Sequence, residues 1–177
     1  EATGRADVFA DAMPGYASLL AFFGRGVVVM VLCGAVGVIA EVSATAARKA
    51  PHSMATSTVA LALTGGLYLF AGGNGNLADS GVASFFGLLA AVPATLLVVN
   101  FLYSLHGGAI RLDVAFVLGL VAVLGLTTGG VAGLFLAAPM TGDYLRGTGF
   151  ATAQLHMLLA AGGLSAFLAG MVHWWPL

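Results

Sequence analysis

The chain has 177 residues, of which 60% are hydrophobic and 7% charged, with a mean hydropathy of +1.03 and a formal net charge of -1. A soluble domain carries about 25% charged residues, so this composition excludes a soluble enzyme and makes lipid the solvent. The near-neutral charge leaves no basic excess to neutralise phosphates and excludes nucleic acid as a partner, and a single cysteine, Cys33, excludes an intrachain disulfide framework or cysteine metal cluster.

Residues 1–15 hold Glu1, Arg5, Asp7 and Asp11. They lack the basic-then-apolar order of a signal peptide and read as a polar N-terminal segment. A membrane-spanning helix needs about 20 mostly apolar residues. Five runs of that kind follow, bounded by polar residues, glycine or proline, at about 16–40, 54–72, 82–105, 113–137 and 150–175. The expected fold is therefore an all-α membrane protein, one helical bundle over 16–177 with no second domain. The loop after the first span carries Arg48, Lys49 and His52, and the loop after the third carries His106 and Arg111. The opposite loops offer Arg146, so the positive-inside rule puts the first two on the inner side. Gly107-Gly108, Gly129-Gly130 and Gly162-Gly163 suit helices that approach closely in lipid.

Ionisable groups within spans point to function by default. Arg25 and Glu41 lie near the ends of the first span, where snorkelling to the interface accounts for them. Asp79, Asp113, Asp143 and Arg146 fall at span ends or in loops and read as solvated. His52 and His106 are loop residues, and His173 precedes Trp174-Trp175 in an expected aromatic belt. His156 differs. It lies about two turns into the last span, beside Gln154, where a neutral imidazole needs a hydrogen-bond partner or a metal.

Several fragments occur in a fixed order. Phe22-Phe23-Gly24-Arg25-Gly26-Val27 leads to Gly34-Ala35-Val36-Gly37; Arg48-Lys49 has Pro51 close behind. Val92-Pro93 precedes Leu105-His106-Gly107-Gly108, then come Thr128-Gly129-Gly130-Val131-Ala132-Gly133 and Gln154-Leu155-His156, ending in His173-Trp174-Trp175-Pro176. From about Phe22 to Leu177 the chain resembles the sixth to tenth helices of subunit I of the haem-copper cytochrome oxidases. The fragments are similar to that family's Phe-Phe-Gly-His-Pro-Glu-Val-Tyr, Arg-Lys-Pro, His-Gly-Gly, Val-Gly-Gly-Leu-Thr-Gly, His-Phe-His and His-Trp-x-Pro motifs.

The resemblance also implies what is missing. Arg25 stands where the first copper-ligating histidine is expected and Val29 where the tyrosine bonded to it is expected. No histidine lies between His52 and His106, where the other two copper ligands belong, and Gln154 replaces the histidine of the high-spin haem. Copper of this kind needs imidazole nitrogens. Val27 and Leu97 occupy the family's proton-route glutamate and lysine positions. His156 alone matches a cofactor ligand, the axial histidine of the low-spin haem. The second axial ligand belongs to a helix outside this stretch, so another polypeptide is expected to supply it.

The resulting expectation is a degenerate, non-catalytic subunit-I-like protein of a respiratory or related electron-transfer complex, in a bacterial plasma membrane or mitochondrial inner membrane. It would pack against other membrane subunits and hold a low-spin haem through His156, with no catalytic residues and no copper site. The alternatives are a haem-free scaffold subunit and a fragment of an active cytochrome c oxidase. Side chains of Arg25, Val29, Gln154 and their neighbours are expected to fill the space of the lost centre, because voids cost packing energy.

Overall fold

In hydrocarbon every backbone amide and carbonyl must find its partner within the protein, and an α-helix meets that demand within each span. The computed structural model describes residues 3–71, 81–145 and 148–175, and its described secondary structure is helical throughout. The order is α1 (Thr3–Ala47), α2 (Met54–Phe70), α3 (Gly81–Leu89), α4 (Ala91–Leu105), α5 (Val114–Ala137), α6 (Pro139–Leu145), α7 (Gly149–His156), a π-helical stretch π1 (Met157–Leu164) and α8 (Ser165–Trp174). Four helical lengths are long and apolar enough to cross a bilayer: Phe22–Ala47, Gly81–Leu105, Val114–Ala137 and Gly149–Trp174. The shorter apolar helix Met54–Phe70 packs beside them against α1, α3 and α4. The protein is an integral membrane protein with an all-α bundle.

Local chemistry sets the boundaries. Ser53 caps α2 by accepting from the Thr56 amide at 3.2 Å. Asp113 caps α5 by accepting from the Phe116 amide at 2.8 Å, and Thr148 caps α7 through the Phe150 amide at 3.2 Å. Asp113 thus has a structural role beyond solvation. The third span breaks between α3 and α4 at Ala90, because Pro93 has no amide proton and its ring crowds the carbonyl four residues back. Thr58, Thr64, Thr95 and Thr127 return their hydroxyls to the carbonyl one turn earlier, which satisfies them without water.

The buried core is made of small residues. Ala35, Ile39, Ala122 and Ala166 join α1, α5 and α8, with Phe101 and Leu126 packed against them, and Val38, Val42 and Ala115 extend the contact inward. Large apolar side chains point outward, Met30 at 75% exposure and Leu124 at 64%. Such an inside-out arrangement suits a lipid surround and would aggregate in water.

The α5–π1 contact is closer still. A Cβ on Gly125 would stand 2.5 Å from the Ala161 carbonyl carbon, and one on Gly129 2.8 Å from Leu158. The two backbones therefore meet where only hydrogen fits.

At one end of the bundle the loops after α1 and α4 are tied together. The Arg111 amide donates to the Ala46 carbonyl at 3.0 Å and Lys49 Nζ to the His106 carbonyl at 3.0 Å. Asn100, buried on α4, donates to the Ser53 carbonyl at 3.0 Å and to Ser57 Oγ, and the His52 amide donates to Ser104 Oγ at 2.9 Å. Trp174 Nε1 donates to Glu41 Oε1 at 3.1 Å, joining α8 to α1.

Candidate functional site

His156 closes α7, immediately before the wide turn of π1, and its side chain is exposed. Single turns of π-helix are rare and concentrate at functional sites. Nδ1 lies 2.7 Å from the Thr152 carbonyl oxygen. A carbonyl can only accept, so the proton sits on Nδ1, and in the neutral ring Nε2 keeps its lone pair. The partner that a span histidine requires is therefore a backbone carbonyl one turn back. That same bond fixes the tautomer and orients the imidazole as metal-bound histidines are oriented.

Gln154 lies two residues earlier, which is about 200° around a helix of 3.6 residues per turn. The two side chains consequently leave α7 on opposite sides. Gln154 is buried, lines the interior, and donates from Nε2 to the Gly129 carbonyl at 3.4 Å.

The interior on that side corrects one expectation. Arg25, Val29 and Gln154 do not fill the space between the helices; they line a cavity of about 570 Å³. Its wall continues over Leu97, Asn100 and Leu126 and along all the spans. The reason is side-chain size, since much of the lining is glycine, alanine and serine, such as Ser57, Ala94 and Gly130. Arg25 is half-buried and belongs to this wall. Glu41 is exposed and accepts from Trp174.

Among the described residues, no histidine, aspartate or glutamate lines the cavity. Among the described residues, no three His, Cys, Asp or Glu side chains gather to hold a metal. Neither a copper ion nor the iron of a high-spin haem has a matching imidazole donor in this wall, so the residues present do not fit that centre. The other histidines lie apart from His156: His52 stacks on Tyr103 with ring centroids 5.3 Å apart, His106 ends α4, and His173 meets Trp174 edge-on. Asp143 is exposed on α6, while Asp79 and Arg146 lie outside the described residues. The Ser53–Ser57–Asn100–Ser104 network is a feature that sequence reasoning passes over. Its signal is present as polar residues four apart on α2 and its cap, and again on α4.

Comparison with known proteins gives a consistent identification. Residues 12–177 match the family described as "Cytochrome C and Quinol oxidase polypeptide I". The chain is 28% identical to cytochrome c oxidase subunit 1 of Bacillus sp. (strain PS3), over 87% of its own length and 26% of that protein's. It is 28% identical to alternative cytochrome c oxidase subunit 1 of Bradyrhizobium diazoefficiens, over 88% and 27% of the two chains. It is 30% identical to "Probable quinol oxidase subunit 1" of Staphylococcus haemolyticus, over 91% and 25%. The chain therefore spans about a quarter of the length of the curated relatives it matches.

Proposed function

The chain belongs to the cytochrome c and quinol oxidase polypeptide I family, and from that premise we propose that it is an electron-relay subunit, holding one axial position of a low-spin haem through His156. The observation that carries the reading is the Nδ1–Thr152 carbonyl bond on an exposed side chain. It leaves Nε2 as the free donor atom on the outer surface of α7, where a second helix can approach. When bound, a six-coordinate low-spin haem supplies one-electron transfer with little rearrangement at iron.

The chain's own contributions are three. His156 offers a neutral nitrogen donor, Thr152 holds its ring, and the exposed apolar neighbours Leu155 and Met157 provide a dry flank. A second ligand to that haem would come from a helix other than those described here, since the other described histidines lie away from this face. The relatives are themselves named as subunits. Oxygen reduction is not assigned to this chain, because the cavity wall offers copper and high-spin iron no imidazole.

A haem-free scaffold is the second reading, and one observation favours it: the Thr152 carbonyl already satisfies the His156 ring without a metal. Reduced-minus-oxidised spectra of the purified native complex separate the two. His156→Ala should abolish one low-spin haem signal while the subunit stays assembled. An unchanged spectrum in an assembled variant would refute the relay and leave the scaffold.

A further inference from the structure

The cavity follows the length of the bundle. Its wall on α1 runs from Arg25 to Ser43, a difference of 18 positions, or about 27 Å at 1.5 Å per residue. Spread over that length, 570 Å³ gives a mean cross-section of about 21 Å², the girth of one hydrocarbon chain. The middle of the wall is aliphatic, with Leu32, Leu61, Val98 and Leu126. Water in such a place needs two to four polar partners for each molecule, and the hydroxyls of this stretch, those of Thr64, Thr95 and Thr127, are already given to carbonyls of their own helices. At the Arg25 end the wall also carries Tyr68, one turn beyond Gly65, where a Cβ would stand 3.0 Å from Val29 of α1.

We infer that the cavity is a binding site for a single-chain lipid, its hydrocarbon chain lying along the aliphatic wall and an oxygen-bearing head held at Arg25 and Tyr68. The guanidinium carries five N–H donors and the phenol one, which suits a head that accepts hydrogen bonds. A fatty-acid carboxylate and a prenyl-quinone carbonyl share that chemistry. The site makes no use of His156 and stands whether or not a haem is bound there.

The test uses the purified native complex and palmitic acid carrying a mid-chain diazirine, with adducts mapped by peptide mass spectrometry after irradiation. Adducts are expected on Leu32, Leu61 and Leu126, and also on the lipid-facing Met30, Leu63 and Leu124. Gly130 lines the cavity, and a Cβ there meets nothing within 4 Å. Gly130→Leu should therefore lower the inner adducts at least about fivefold while leaving the outer ones unchanged, which also reports that the fold persists; Ala94→Leu is the second variant. Excess oleate that competes identifies a carboxylate head, and excess decylubiquinone a quinone head; either supports the site. Arg25→Met should raise the competitor concentration needed about tenfold. Adducts confined to the outer residues, inner adducts unchanged in both filling variants, competition by neither compound, or a porphyrin recovered from the cavity would each overturn the inference.

Discussion

Replacing Gly125 with alanine tests whether the α5–π1 contact is as close as described. The new Cβ would stand 2.5 Å from the Ala161 carbonyl carbon and 2.6 Å from the Gly162 nitrogen. Carbon atoms pack at about 3.5–4.0 Å, so the two helices must part by about 1 Å. A gap of that size forfeits roughly a quarter to a half of each dispersion contact it opens, and overpacking of this kind costs about 1–3 kcal/mol. For a chain of this length that is a fall of about 2–12 °C in Tm. Gly130→Ala is the matched control five residues along the same helix, where a Cβ meets nothing within 4 Å. Thermal unfolding of both variants in the same detergent, followed by circular dichroism, gives the comparison. Equal midpoints would refute the close approach, and with it the argument that glycine is required at Gly125.

Asn100→Leu removes two interhelical hydrogen bonds, to Ser53 and Ser57; at about 0.6–1.7 kcal/mol each within a membrane, unfolding in SDS should show a loss of about 1–3 kcal/mol. In a Cys33→Ala background, Ala50→Cys and Ala109→Cys, both exposed on the tied loops, should be labelled by an impermeant maleimide from the same, inner, side; labelling from opposite sides would overturn the topology. Copper in the purified complex should not change on deletion of this subunit, as measured by inductively coupled plasma mass spectrometry. Trp174→Phe should weaken the α1–α8 tie to Glu41 by about 0.6 kcal/mol, seen as a small drop in unfolding midpoint.

Lipid imposes a length and a polarity that sequence states directly, yet of the five expected spans four correspond to helices long enough to cross, while the run expected at 54–72 is the shorter helix Met54–Phe70. The caps at Ser53, Asp113 and Thr148 were also open to reading, since each is a short polar side chain just before an apolar run. The cavity was not. Small residues serve equally to bring helices together, as at Gly125, and to hold them apart around a space, as at Gly130, and only the relative rotation of the helices decides which. The place of Arg25 in the cavity wall is not legible either, since its depth in the sequence does not say which side of α1 it leaves from. His156 was picked out by its position. Its partner lies one helical turn back at Thr152, a distance sequence contains, but the exposure of the ring depends on which face of α7 packs against α5. The Glu41–Trp174 bond joins residues 133 positions apart, beyond any local pattern.

The ties between the loops after α1 and α4 govern how the bundle can deform. With Arg111 bound to Ala46 and Lys49 to His106, these ends of α1, α2, α4 and α5 behave as a hinge pin. Helices fixed at one end separate only at the other, so thermal breathing widens the bundle where Ala71, Ala83 and Ala137 border the cavity. Exchange of anything held between the helices is thereby directed to the end of the bundle opposite these loops.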